Sequence, residues 1–393
     1  MDFEFSKEQL EVKARARLYL DEVVAPLEVD WPANDYDAPE ETTKMLVAKF
    51  REYGLRGMAV PKECGGQGLG TMAKVLVYEE LAKSPVTRGL LQTWSGFLDP
   101  NSALFDAPEW QKEKYLYPIL KDDKFYHIHI SEPGVGSDAA AIQTRAVRDG
   151  DNFIINGRKR WAPPPNHWAI TPSYLLCYAV TDPDAGYKGV SAFLVDYPTE
   201  GLYISPGGEK STYEEGGYIG RVTTDYVYDN VVVPAKNMMG KEGNGFRYMM
   251  DQLNRNRIVI SAQLMSKAEV ALDMMIKRAK ERECFGKPIS QYQAIQWMIA
   301  ESAMEIESAK LLVYKAAMMM DAGKDVRKEA AMCKCQCPVI AQNVIDRAIQ
   351  VYGGLGMLPE TGLGRMWWQA RSSRVAEGTT EIMKRIVAKE LLK

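Results

Sequence analysis

The chain has 393 residues, 46% of them hydrophobic and 26% charged, with a formal net charge of −3. Such a length can bury a large core in two or three domains, and the composition is that of an ordinary globular protein. The weakly acidic balance excludes the strongly basic character of nucleic-acid or anionic-membrane binders. No apolar run approaches the ~20 residues needed to cross a bilayer. The start, Met1-Asp2-Phe3-Glu4-Phe5, is acidic and lacks a basic-then-apolar signal segment, so a cytoplasmic protein is expected.

Residues 1–122 read as a helical block. Ser6 and Gln9 have the spacing of a capping box, which opens the first helix. A second helical pattern, Glu40 to Tyr53, stops at Gly54. The loop Gly65-Gly66-Gln67-Gly68-Leu69-Gly70 has neither a following Lys-Ser/Thr nor a long preceding strand, so a P-loop is rejected. It serves instead to end one element and start a helix over 72–82. Residues 123–236 change character. Short β-branched and aromatic runs at 152–155, 174–180, 191–195, 223–227 and 231–233 predict a compact β domain. His127 and His129 bracket Ile128 and share one side of a strand; with no third ligand apparent, they read as packing. Over 237–393 the helical period returns in 258–282, 293–320 and 328–352, which predicts a helical bundle. The fold class is therefore α+β, in the order helical domain, β-barrel-like domain, helical bundle.

Three of the six cysteines form the run Cys333-Lys334-Cys335-Gln336-Cys337. On a helix Cys333 and Cys337 share a face while Cys335 points away, so the thiolates cannot converge on one metal ion. Buried thiols in a reducing compartment are the expectation.

The most informative stretch is Ser131-Glu132-Pro133-Gly134-Val135-Gly136-Ser137-Asp138, which follows the alternating run 125–130. Gly134 and Gly136 let backbone approach a ligand and leave N–H groups facing an anion, and Ser131 and Ser137 add hydroxyl donors. This octapeptide resembles the flavin-binding signature T/S-E-P-x-x-G-S-D of the acyl-CoA dehydrogenase family. The resemblance extends along nearly the whole chain, through Gly157-Arg158-Lys159-Arg160-Trp161, Arg282-Glu283-Cys284-Phe285-Gly286-Lys287, Gln350-Val351-Tyr352-Gly353-Gly354-Leu355-Gly356 and Glu377-Gly378-Thr379-Thr380-Glu381-Ile382.

The resemblance implies an FAD enzyme that removes an α-proton and a β-hydride from an acyl-CoA thioester, with electrons passed to an electron-transferring flavoprotein. It makes Glu377 the catalytic base. Some members place that base on an earlier helix, at the position of Asn256 here, and an amide cannot act as a base. It implies flavin contacts from Tyr126, Ile130 and Ser131, and from Gly136, Ser137 and Trp161. Arg282, Phe285 and Gln293, with Gln350, Gly353 and Gly354, would reach the cofactor of a neighbouring subunit, which implies a homotetramer. Thr379 and Glu381 would lie near the adenine half. Arg257, Ala376 and Gly378 would line the thioester site. Read without the resemblance, Arg257 is equally an i,i+4 surface partner on its helix.

Three positions depart from the family pattern. Pro163 stands where relatives carry a threonine hydroxyl, Ala376 where a tyrosine is common, and Trp368-Gln369 where an Arg-Asp pair is common. Ala376 implies a wide acyl pocket. Arg88 aligns approximately with the arginine that glutaryl-CoA-type members use to hold a distal carboxylate; an ordinary loop arginine is the other reading. Together these suggest a cyclic, branched or dicarboxylic acyl group. Alternatives on the same fold are an enoyl-CoA reductase, an acyl-CoA oxidase, or a flavin-binding subunit without turnover.

Overall fold

A computed structural model of the chain describes residues 4–28, 40–87, 100–163, 173–206, 210–211 and 222–393. Helix α1 (Lys7–Tyr19) opens on the capping box, in which Ser6 and Gln9 each bond the other's backbone N–H. It continues through a π turn, Leu20–Val24, into Ala25–Glu28. Helix α2 (Glu40–Glu52) follows, and α3 (Gly70–Leu81) starts at the end of the glycine-rich loop. The start of α3 is held from far along the chain. Both carboxylate oxygens of Asp321 accept its first free N–H groups, from Thr71 at 2.5 Å and Met72 at 2.9 Å. Gly70 has φ +82°, and a Cβ there would stand 2.6 Å from the Asp321 carboxyl carbon, which explains the glycine.

The described residues form two compact units. One takes those within 1–36, 69–91 and 253–393; the other takes those within 37–68 and 92–252. In the second unit, strands β1 (Tyr126–His129), β2 (Arg145–Asp149), β3 (Asn152–Ala162), β4 (Tyr174–Val180), β5 (Val190–Asp196), β6 (Leu202–Ile204), β7 (Lys210–Ser211) and β8 (Val222–Pro234) make one curled sheet. β1 lies parallel to β4, while β2–β3, β3–β8 and β4–β5 are antiparallel. All seven residues of β4 are buried, as expected of a strand covered on both faces.

Two of the expected strands, 223–227 and 231–233, are one strand. The Asp229-Asn230 break is absorbed as an irregularity in the β3–β8 register between Ile155 and Gly157. Asn230 takes φ +53°, and the side-chain oxygen of Asn156 accepts its N–H at 2.8 Å. β3 likewise runs well past 155. His127 and His129 are both buried, and His129 bonds the Tyr228 hydroxyl at 2.8 Å. Burial, with His127 and Lys159 nearby, pushes the pKa of His129 well below the ordinary histidine value, so it is a neutral packing residue.

Helix α4 (Gly245–Glu281) spans 37 residues and runs into the first unit, where α5 (Gln293–Asp321), α6 (Arg327–Tyr352), α7 (Leu363–Ser373) and α8 (Thr380–Leu391) complete the helical domain. A two-stranded hairpin, β9 (Glu283–Cys284) and β10 (Lys287–Pro288), separates α4 from α5. The core of this unit joins Met72, Val75 and Leu76 of α3 to apolar residues of α4, α5, α6 and α7. On α6, Cys333 and Cys337 are buried and Cys335 is half-buried. Pro338 lies inside α6, where it cannot donate to the Lys334 carbonyl one turn earlier. No helix among the described residues is long and apolar enough to cross a membrane.

Candidate active site

In the second unit, the Ser131–Asp138 loop is pegged by a buried carboxylate. Glu132 accepts from the backbone N–H of Gln143 (2.7 Å), the backbone N–H of Thr144 (3.0 Å), the Thr144 hydroxyl (2.6 Å) and Lys159 Nζ (2.9 Å). Burial alone raises the carboxyl pKa, but the Lys159 charge and these donors outweigh it, so Glu132 titrates below the ordinary range. Lys159, with no exposed surface, also donates to the Ile130 carbonyl at 3.1 Å. Glu132 and Val135 exchange both backbone bonds across Pro133-Gly134. The peg leaves the rest of the loop facing outward. Ser131 is half-buried, Gly136 and Ser137 are exposed, and nothing lies within 4 Å of where a Cβ on Gly134 or Gly136 would stand.

Three aromatic or proline positions lie in the same unit. Tyr126 is buried, stacks on Tyr174 with ring centroids 5.3 Å apart, and its hydroxyl accepts from Gln252 at 3.1 Å. It supports the strand that ends in the loop rather than presenting open surface. Trp161, at φ +66°, is half-exposed, and the Arg160 guanidinium stands 5.7 Å from its ring. Pro163 is buried, and its carbonyl accepts from the Tyr226 hydroxyl at 2.9 Å.

In the first unit, Glu377 sits in the turn between α7 and α8. It has φ +56°, and Gly378 has φ +106°. A left-handed conformation at a non-glycine residue is unfavourable and has to be held by its surroundings. Arg257, buried on α4, does part of this: its Nε donates to the Glu377 carbonyl at 3.2 Å and its Nη1 to Asn254 Oδ1 at 3.0 Å. Burial lowers the guanidinium pKa and the Glu377 charge opposes that effect. Lys334 of α6 does the rest. Its Nζ donates to the carbonyls of Ser373 and, at 3.3 Å, of Gly378. Thr379 then caps α8, its hydroxyl accepting the Ile382 N–H at 3.3 Å. A Cβ on Gly378 would approach Met383 Cε to 2.5 Å. The Glu377 side chain is half-buried, Ala376 is exposed, and Glu381 is exposed in the first turn of α8.

The remaining candidates lie on three further segments of the first unit. Arg282 is exposed where α4 ends, and Phe285, at φ +52° on the β9–β10 hairpin, is 98% exposed. Gln293 opens α5; Gln350 lies in the last turn of α6, followed by Gly353 at φ +64° and Gly354, and all four are exposed. Arg88 falls outside the described residues. Sequence reasoning missed Lys159 and Lys334. The signal for Lys334 was present: Ala330, Cys337, Pro338 and Ala341 share its helical face, and all are buried.

Sequence models of the acyl-CoA dehydrogenase N-terminal, middle and C-terminal domains match residues 6–123, 128–230 and 243–392. The chain belongs to the acyl-CoA dehydrogenase family, a family of FAD-dependent oxidoreductases. It is 35% identical to an acryloyl-CoA reductase (NADH) of Anaerotignum propionicum, over 100% of this chain and 96% of that protein. It is 34% identical to the caffeyl-CoA reductase-Etf complex subunit CarC of Acetobacterium woodii, over 99% of each chain. The butyryl-CoA dehydrogenase structure from Megasphaera elsdenii superposes with a TM-score of 0.87 at 30% identity, over 100% of both chains. The open loop faces at Gly134 and Gly136, the Ser137 hydroxyl and the half-exposed Trp161 indole fit a ligand with both polar edges and a flat aromatic face, as a flavin has.

Proposed function

We propose that the chain catalyses α,β-dehydrogenation of an acyl-CoA thioester with Glu377 as the base that removes the α-proton. One observation carries this reading: Glu377 is a half-buried carboxylate held in a left-handed turn by hydrogen bonds from buried Arg257 and Lys334 to the turn's carbonyls. A base pre-positioned by its backbone needs no reorganisation when substrate arrives. Bound FAD supplies the acceptor for the β-hydride at its N5 atom. The Glu377 N–H faces the thioester carbonyl and, by donating to it, acidifies the α-carbon. The Ser131–Ser137 loop and Trp161 bind the flavin, with Ile130 and Tyr126 supporting them. Pro163 offers no hydroxyl beside it. Arg282, Phe285, Gln293, Gln350, Gly353 and Gly354 reach the flavin of a neighbouring copy in a homotetramer. Phe285, 98% exposed at φ +52° on the β9–β10 hairpin, is the apolar side chain this segment would offer to that copy.

Glu377→Gln should keep FAD and thioester binding while slowing substrate-driven flavin bleaching by ~10²–10⁴ or more. A variant that retains most of the rate would show that the base lies elsewhere.

The second reading is the reverse reaction, reduction of an enoyl-CoA, favoured by the reductase names of two relatives. Glu377 would then deliver the proton to the α-carbon, so the same residue serves both directions. An electron-transferring flavoprotein is the proposed electron partner, because one relative is a subunit of an Etf complex. Comparing flavin reduction by saturated esters with flavin reoxidation by enoyl esters, each with and without that partner, decides the direction. Exposed Ala376 supports a wide pocket, hence a cyclic, branched or dicarboxylic acyl group, with Arg88 the proposed partner of a distal carboxylate. Bleaching rates with glutaryl, cyclohexanecarboxyl and straight-chain C4–C12 esters on wild type and Arg88→Ala test both points. Preference for a straight chain with no Arg88 effect would remove them.

A further inference from the structure

A lysine on the buried face of a helix is costly unless its ammonium finds partners. Among the described residues, three lysines have almost no exposed surface: Lys159, Lys267 and Lys334. Lys159 faces the Glu132 carboxylate, and Lys267 donates to Gln369 Oε1 at 2.8 Å. Lys334 donates to two backbone carbonyls, and those two bracket one turn. Ser373 is the last residue of α7, and Gly378 immediately follows Glu377. Four N–H groups in and beside the turn are bonded locally, Arg374 to Arg371, Val375 and Ala376 to Ser372, and Thr380 back to Arg374. Such bonds close the turn but leave the Ser373 carbonyl, at a helix C-terminus where carbonyls carry partial negative charge, to be met by another group. Lys334 meets it and reaches across to the far side.

We infer that Lys334 is a positioning residue for Glu377, its ammonium joining both ends of the 374–378 turn so that the left-handed backbone carrying the carboxylate is held in place. The inference rests on the proposed role of Glu377. Arg257 holds the middle of the same turn through the Glu377 carbonyl, so two buried cations fix three carbonyls around one base. A cation also has an electrostatic reason to be there, since it favours the negative form of a carboxylate nearby.

The ammonium gives up its proton more readily than an ordinary lysine. Burial lowers its pKa to about 8; the Glu377 charge opposes this, Arg257 adds to it, and Cys335 and Cys337 face it from its own helix. Turn order should therefore decline as pH rises past that value.

The test uses FAD-loaded wild type, Lys334→Met, Lys334→Arg and Glu377→Gln side by side. Lys334→Met should bind FAD and thioester normally but bleach about 10²-fold more slowly, the size expected for a displaced catalytic group, with kcat falling and KM nearly unchanged. Lys334→Arg should recover most of the rate and move the alkaline limb of the pH profile upward, because a guanidinium keeps its proton. A wild-type rate and pH profile for Lys334→Met would overturn the inference while leaving Glu377 as base. Activity retained in Glu377→Gln would instead overturn the base itself. Should Lys334→Met not fold, an alkaline limb in Lys334→Arg unchanged from wild type overturns the positioning role.

Discussion

Lys159 and Lys334 are both buried beneath a loop to which we assign a role in the proposed function, yet their partners differ in kind. Lys159 meets a carboxylate that is itself satisfied by three further donors. Lys334 meets only neutral carbonyls. The flavin-signature loop can be anchored by an internal ion pair because its outward face is backbone amide and hydroxyl, which the pair does not disturb. The Glu377 turn cannot. A second carboxylate placed there to neutralise Lys334 would repel the negative form of Glu377 and alter the proton affinity on which its proposed role depends. One loop is thus held by a fixed ion pair, the other by cations that leave room for the charge change we propose for Glu377.

The largest effect should come from breaking the first anchor. Glu132→Ala leaves the Lys159 charge buried beside only the Ile130 carbonyl, and removing one partner of a buried pair typically costs about 3–5 kcal/mol. Melting temperature should fall and FAD should be lost on dilution. The double variant Glu132→Leu, Lys159→Met should recover a substantial part, since no lone charge remains. A single variant as stable as wild type would mean that the pair contributes nothing to the loop.

Both anchors should make stability rise with pH, but in separate windows, the acid range for Glu132 and the alkaline range for Lys334. The Glu132 contribution is full above the ordinary carboxylate range and is lost only as pH falls through its depressed pKa. Lys334 is a base with a folded pKa of about 8, below its unfolded value near 10.4. Between those values the unfolded chain binds more protons, so this residue makes stability rise with pH, by up to roughly 3 kcal/mol. Wild type minus Lys334→Met, followed by thermal melting from pH 7.5 to 10, should show that rise while bleaching activity declines. A flat difference would place the Lys334 pKa at its ordinary value.

The smallest expected effect concerns the turn itself. Gly378→Ala puts a Cβ against Met383 Cε at φ +106°, a strain of about 1–3 kcal/mol. A lower melting temperature and a slower bleaching rate with FAD content unchanged are expected. Unaltered kinetics would mean that the turn tolerates rearrangement.

Much of this molecule was legible locally. The capping box at Ser6 and Gln9, the long helical periods of α4, α5 and α6, and the buried run of β4 all depend on residues within a turn or two of one another. The octapeptide at Ser131 and the Glu377 segment were readable through their resemblance to the acyl-CoA dehydrogenase family; glycine spacing alone marked only turns. Local reading failed where a distant partner overrode a local signal. Asp229-Asn230 reads as a strand break, but Asn156 across the sheet turns it into a bulge. Arg257 reads equally as a surface arginine; its bond to the Glu377 carbonyl, 120 residues away, decides otherwise.

Composition, period and turn chemistry by themselves determined most of which segments are helix, strand or turn, because those choices are made by neighbours in the chain. Only the tertiary structure decided how those loops are held. Asp321 caps α3 from 250 residues away, and Lys334, set among three cysteines, bears on a turn some 40 residues further along the chain. A hydrogen bond between distant residues leaves no periodic trace, and a buried ammonium reveals its purpose only when the carbonyls around it are known.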